Sequence, residues 1–149
     1  MGDFPSNERV TAYFKGKLES EGFEVTVYEK EGFEVMEDTV ESFKNRYDLV
    51  LYLANIETAS NKTVSRLNWH TMFGLGNNMP WMVYELPVAF ISIGNPYHLL
   101  DAPMVKTYIN GYCNSEYVMD AVVEKMMGRS EFKGTSPIDP FCGKIDLRF

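Results

Sequence analysis

At 149 residues the chain has the length of one domain, enough to bury roughly 70% of the surface its unfolded form would expose. A hydrophobic share of 45%, with 14% aromatic residues, is that of a packed globule and excludes a disordered tail. The 14 Lys and Arg against 21 Asp and Glu leave a net charge of −7, which repels nucleic-acid phosphate and offers no attraction to anionic lipid, so neither nucleic acid nor membrane is expected as a partner.

The first helix is expected over about 7–20. Ser6 can cap it, Val10, Tyr13, Phe14 and Leu18 repeat at helical spacing, and Gly22 stands where a left-handed residue closes a helix. Phe23, Val25 and Val27 then alternate with Glu24, Thr26 and Tyr28, the pattern of a strand with one face more buried. Asp38 or Thr39 opens a short helix through Val40, Phe43 and Tyr47, and the apolar run Leu49 to Ala54 reads as a central parallel strand covered on both faces.

Asn55 to Asn68 is polar and reads as a loop. Trp81, Met82, Val83 and Leu86 predict a helix from near Asn78 that ends before Pro87, since proline is tolerated in a first turn but not later. A buried strand, Val88 to Ile93, stops at the loop Gly94 to Pro103. A short strand near Val105 to Ile109 and a last helix from about Ser115 to Met127, closed by Gly128, complete the elements. Residues 129–149 hold no strong period and are expected to wrap the surface. Helices alternating with strands specify a three-layer α/β sandwich with a mostly parallel sheet, Rossmann-like or flavodoxin-like. The echo of Gly22-Phe23-Glu24-Val25 in Gly32-Phe33-Glu34-Val35 has no further copies and does not make a repeat protein.

The order of segments in the second half carries more. The run Pro87-Val88-Ala89-Phe90-Ile91-Ser92-Ile93 leads into Gly94-Asn95-Pro96-Tyr97. Lys106-Thr107-Tyr108-Ile109-Asn110-Gly111-Tyr112 and the helix-like Ala121 to Gly128 follow, and then Ser130-Glu131-Phe132-Lys133-Gly134-Thr135-Ser136-Pro137. In that order they resemble the end of the C-terminal domain of glycoside hydrolase family 3. The resemblance reaches upstream through Tyr47 to Asn55 and the first helix, and so covers most of the chain. It implies an accessory domain of a retaining glycosidase, of the β-N-acetylhexosaminidase-like or β-glucosidase-like branch, with no cofactor. Its partners would be the catalytic barrel of the same polypeptide and a carbohydrate substrate. The nucleophilic Asp of the resembled family sits on that barrel, so this chain alone is expected to be inactive. A doubly wound sheet normally opens with a strand, whereas Gly2 to Asn7 resembles the loop after the family's first strand. A strand and an upstream barrel are therefore expected to be missing, and dimerisation or strand exchange through the edge so exposed is a further expectation.

Loops of an open parallel sheet gather at the carboxyl edge of its strands, where ligands sit. Glu57 lies just past a strand, about where the resemblance would place a general acid/base, although no second carboxylate accompanies it in its own loop; the competing reading is a solvated carboxylate. Arg66, Asn68 and Trp69 could present a charge, an amide and an aromatic face to a sugar, or serve packing at a domain seam. His98, with Asp101 three residues on, could move a proton, though structural capping of its loop is the stronger reading and no nucleophile elbow accompanies it. His70, beside Trp69, reads as packing. Gly74-Leu75-Gly76-Asn77-Asn78-Met79 imitates a dinucleotide fingerprint, but Met79 replaces its third glycine. Cys113 and Cys142 form no disulfide framework and no zinc spacing, and no metal is expected. Asn61-Lys62-Thr63 is a glycosylation sequon without context, because no targeting signal is visible; compartment stays open, with cytoplasm slightly favoured. Two other readings remain: a stand-alone flavodoxin-like ligand-binding module, and a self-contained hydrolase using His98 and Asp101.

Overall fold

The computed structural model describes residues 5–29, 37–57, 66, 67, 69 and 79–144. In chain order these form α1 (Pro5–Ser20), α2 (Val40–Arg46), β1 (Val50–Ala54), β2 (Val88–Ser92), a 3-10 helix (Pro96–Asp101), β3 (Thr107–Asn110) and α3 (Glu116–Met126). The three strands make one sheet in the order β1-β2-β3, parallel throughout, with Tyr52 opposite Phe90 and Phe90 opposite Tyr108.

Side chains alternate across a sheet, and this alternation divides the interior in two. On one face Val88 and Phe90, flanked by Tyr52 and Tyr108, pack with Phe43 of α2, with Met82, Val83 and Leu86, and with Ala102 and Val105. On the other, Ile91 and Ile93, flanked by Leu51, Leu53 and Ile109, meet Val10, Phe14 and Leu18 of α1 and Met119, Val122 and Val123 of α3. Helices on one face, and α2 with the turn-rich segments on the other, give the expected three layers. Every side chain of β2 is buried, so β2 is the central strand. β1, read from sequence as central, is instead an outer strand among the described residues, with four of its five side chains only half-buried. A continuous apolar run reports burial, and α1 and α2 bury β1 without a second strand beside it.

Local chemistry explains the ends of the elements. Proline at the first position of α1 costs no hydrogen bond, so the helix opens at Pro5 and Ser6 falls inside it rather than capping it. Both long helices close in the same way. Phe23 N–H bonds to Leu18 O and Gly22 N–H to Glu19 O, while Arg129 N–H bonds to Glu124 O and Gly128 N–H to Lys125 O. That 6→1, 5→2 pair needs a left-handed residue, supplied by Gly22 at φ 94° and Gly128 at φ 71°. Thr39 and Ser42 form a reciprocal capping box at α2, and the Ser115 hydroxyl accepts from Val118 N–H at α3. The α1 and α3 surfaces are joined by Arg9–Glu116 (3.2 Å), Lys17–Asp120 (3.1 Å) and Arg129 bridging Glu21 and Glu124.

Three further expectations are corrected. Residues 23–28 form no strand, because among the described residues no strand pairs with them. The segment 80–86 is a series of turns with one helical bond, Leu86 N–H to Met82 O, rather than a helix. Pro80 and Pro87 bracket too few residues to propagate one, and Pro87 disfavours helical geometry at Leu86. The Gly94–Pro103 loop is not irregular but holds the 3-10 helix, with Asn95 as its cap and Pro96 at its start.

Candidate functional site

Parallel strands deliver their following segments to one edge, and that edge holds the polar side chains singled out from sequence. After β1 come Asn55, Ile56 and the exposed Glu57; after β2 comes the capped 3-10 helix; after β3 come Gly111 to Ser115. The opening of α1 reaches the same place, because Asn55 Nδ2 donates to Asn7 Oδ1 at 2.7 Å. Asn114 Nδ2 in turn donates to Asn55 Oδ1 at 3.1 Å. This row of three amides joins the starts and ends of three elements, and among the described residues the buried Nδ2 of Asn7 meets no acceptor.

The loops after β1 and β2 are locked by a closed hydrogen-bond circuit. Ser92 Oγ donates to Asn95 O at 2.5 Å, so its lone pair must accept the proton of His98 Nδ1, 2.8 Å away. His98 Nε2 is then an acceptor, and Asn95 Nδ2 supplies it at 2.9 Å while donating its second proton to Ile56 O at 2.8 Å. Asn95 Oδ1 accepts Tyr97 N–H at 3.0 Å. All donors and acceptors match only if His98 is neutral with its proton on Nδ1. Gly94 completes the lock: a Cβ there would stand 2.6 Å from Ile56 O, so only glycine lets the two loops approach so closely.

A second clasp brings Arg66, Leu67 and Trp69 onto the end of the 3-10 helix. Arg66 Nε donates to Asp101 Oδ1 at 2.6 Å and its NH2 group pairs with the same oxygen; Leu67 N–H donates to Oδ2 at 3.0 Å. Trp69 Nε1 donates to Asp101 O at 2.6 Å. The carboxylate beside it holds the Arg66 guanidinium above its ordinary range. Trp69 also meets Tyr52 edge-on, and Tyr52, Phe90 and Tyr108 form a stack across the three strands, with centroids 6.0 and 5.4 Å apart and rings within 13° of parallel. Burial pushes the Tyr52 hydroxyl's pKa well up.

The structure ties Arg66 and Trp69 both to Asp101. The pairing of Asp101 with His98 is corrected: Asp101 serves Arg66 and Leu67, and His98 serves Ser92 and Asn95. His98 is fully buried, so it is a structural capping group rather than a surface that a sugar could touch. Glu57 stands exposed beyond β1. Asn68, His70 and Gly74–Asn78 lie outside the described residues. Among the described residues no group of three or more His, Cys, Asp or Glu converges on a metal site, and Cys113 and Cys142 are exposed free thiols. Sequence reading missed the Asn7–Asn55–Asn114 row and the aromatic stack. The latter had a signal: each strand carries an aromatic residue directly before an aliphatic one, Tyr52-Leu53, Phe90-Ile91 and Tyr108-Ile109.

An all-parallel sheet sandwiched between helices, with its polar loops clasped at the carboxyl edge, defines a layered α/β domain. No family model matches the chain. It is 46% identical over 101 residues to a β-N-acetylglucosaminidase/β-glucosidase of Cellulomonas fimi, a match that covers 68% of this chain and 18% of that protein. Among solved structures it resembles a β-glucoside phosphorylase, BglX, bound to 2FGlc, with a TM-score of 0.73 and 43% identity over 90% of this chain and 23% of the other. The chain is thus related, in sequence and in fold, to the C-terminal α/β domain of glycoside hydrolase family 3. It matches a segment of these enzymes, about a fifth of their length.

Proposed function

We propose that this chain is the accessory α/β lobe of a retaining family 3 glycoside hydrolase, packed on a catalytic barrel of the same polypeptide, with its carboxyl-edge loops facing the carbohydrate cleft. The observation that carries this reading is the combination of 46% identity with coverage of only 18% of a glycosidase. The chemistry of the edge agrees with it. Retention needs a nucleophilic carboxylate and an acid/base about 5–5.5 Å apart. In the loops after β1 and β2, the described carboxylates are Glu57 and Asp101, and Asp101 is occupied by Arg66 and Leu67 N–H. Glu57 alone is one half of such a pair at most, so the nucleophile belongs outside this chain.

In this reading Trp69, held by Asp101 and backed by Tyr52, offers a ring edge or face to a pyranose, with Arg66 as a polar contact; Asn68, next in sequence, is the further polar contact proposed. His98 and Asn95 fix the height of the Ile56–Glu57 loop against the cleft. The relatives are named for β-glucosides and β-N-acetylglucosaminides, one as a glycosidase and one as a phosphorylase, and those are the substrate classes proposed for the parent enzyme. The test is direct. The pure chain is mixed with chromogenic β-glucoside and β-N-acetylglucosaminide, with and without inorganic phosphate, and no release of chromophore is expected. Turnover by these residues alone would overturn the assignment.

A further inference from the structure

The chain holds one Asn-Gly pair, Asn110-Gly111, and the fold places it at the carboxyl end of β3, where the strand gives way to the segment that carries Asn114 and the α3 cap Ser115. Packing demands the glycine. A Cβ on residue 111 would stand 2.9 Å from Val118 Cγ1 and 3.2 Å from Ile93 Cγ2, so glycine is what lets α3 approach the end of β2. The demand has a chemical consequence, because a following residue without a side chain least obstructs attack of its own nitrogen on an asparagine. In that reaction the Gly111 nitrogen bonds to Asn110 Cγ, the side-chain nitrogen leaves as ammonia, and water opens the five-membered imide. Cleavage of the imide's bond to Cγ gives aspartate; cleavage of its bond to the main-chain carbonyl gives isoaspartate, with one extra carbon in the backbone.

The folded chain opposes the first step through its backbone. Gly111 N–H donates to Ser92 O at 2.7 Å, which occupies the attacking nitrogen. Asn110 is in register with Ser92 as part of β3, and a strand directs its side chains off the sheet, away from the nitrogen that follows. The side chain itself is not anchored by its oxygen: Asn110 Oδ1 is buried and meets no donor among the described residues.

We propose that Asn110 is a latent deamidation site, gated by the Gly111–Ser92 hydrogen bond, and that its conversion dismantles the carboxyl edge. Fraying of the β3 end frees the nitrogen. Reclosing is then obstructed, since either product places a carboxylate where a half-buried amide stood, and isoaspartate takes Gly111 out of register with Ser92. Residues 111–115 follow, and with them the Asn114 amide that holds Asn55 and, through it, Asn7. The edge thus has a chemical lifetime set by local opening of β3 rather than by global unfolding.

The test incubates the full chain in mildly alkaline buffer, folded and in urea, and follows residue 110 by mass spectrometry of the digest together with isoaspartate content. The folded chain should convert about tenfold or more slowly than the unfolded one. Equal rates in both, or no conversion in urea, overturn the proposal. Across low urea concentrations that leave the chain folded, conversion should rise in step with hydrogen exchange of the Gly111 amide; exchange that rises without conversion overturns the gate. Ile109→Ala, beside Asn110 and packed on the α1–α3 core, should speed both, whereas Thr39→Ala, at the start of α2, should speed neither, and equal acceleration by the two variants would show global control instead. The converted chain, separated by its added charge, should unfold at a lower urea midpoint than the parent. An unchanged midpoint overturns the loss of the edge.

Discussion

At the scale of single residues, the His98 circuit shows how one buried ring can fix two loops. Each of its protons has one assigned acceptor, so removing a member leaves buried partners unsatisfied. His98→Ala should cost about 2–4 kcal/mol, from the cavity and the orphaned Asn95 and Ser92 groups together, measured as a shift in urea midpoint. A cost below about 0.5 kcal/mol would mean that the circuit is not closed. Gly94→Ala should be destabilising without removing any bond, because its Cβ meets backbone rather than a movable side chain. Such a variant that unfolds at the parent's midpoint would show the close approach to Ile56 to be absent.

At the scale of elements, α1 and α3 are clamped where both end. Arg129 holds the Glu21 carboxyl below its ordinary value of 4.5, chiefly by a direct hydrogen bond. A depressed carboxylate stabilises the fold at pH values above 4.5, and that contribution disappears as pH falls through the lowered folded-state value. Urea midpoints of the parent chain and Glu21→Gln should therefore differ at pH 7 and converge in acid; parallel curves down to pH 2 would contradict the pairing. At the other layer, Thr39→Ala removes half of the α2 capping box and should cost about 1 kcal/mol. The loss should appear in amides of residues 40–43 first, by hydrogen exchange, because the cap acts on the first turn.

At the scale of the whole molecule, one central strand serves two cores that barely communicate. Phe43 belongs to one and Val122 to the other, with the sheet between them. The costs of Phe43→Leu and Val122→Ala should add within about 0.5 kcal/mol in the double variant. A larger coupling would show that the layers form a single cooperative packing unit. The same layering makes the carboxyl edge a fixed surface: the aromatic stack and the two clasps anchor the loops from beneath, leaving Glu57 and Trp69 at the rim.

Much of this was legible in the chain, and what was legible is short-range. Helix closures at Gly22 and Gly128, the Thr39 and Ser115 caps, the buried β2 run and the parallel α/β class all rest on residues within a turn or two of one another. The motifs whose order marks the family are likewise each short, although their order runs from Pro87 to Pro137. Partnership across space was decided only by the tertiary structure. Residues 23–28 have a strand's pattern and no strand, because a ladder needs a neighbour that alternation does not supply. Asp101 stands three residues from His98 yet pairs with Arg66, thirty-five positions away, while the His98 ring is taken up by Ser92 and Asn95. Sequence sets what each segment prefers to bury; which backbone and which charge meet it depends on packing all the segments at once.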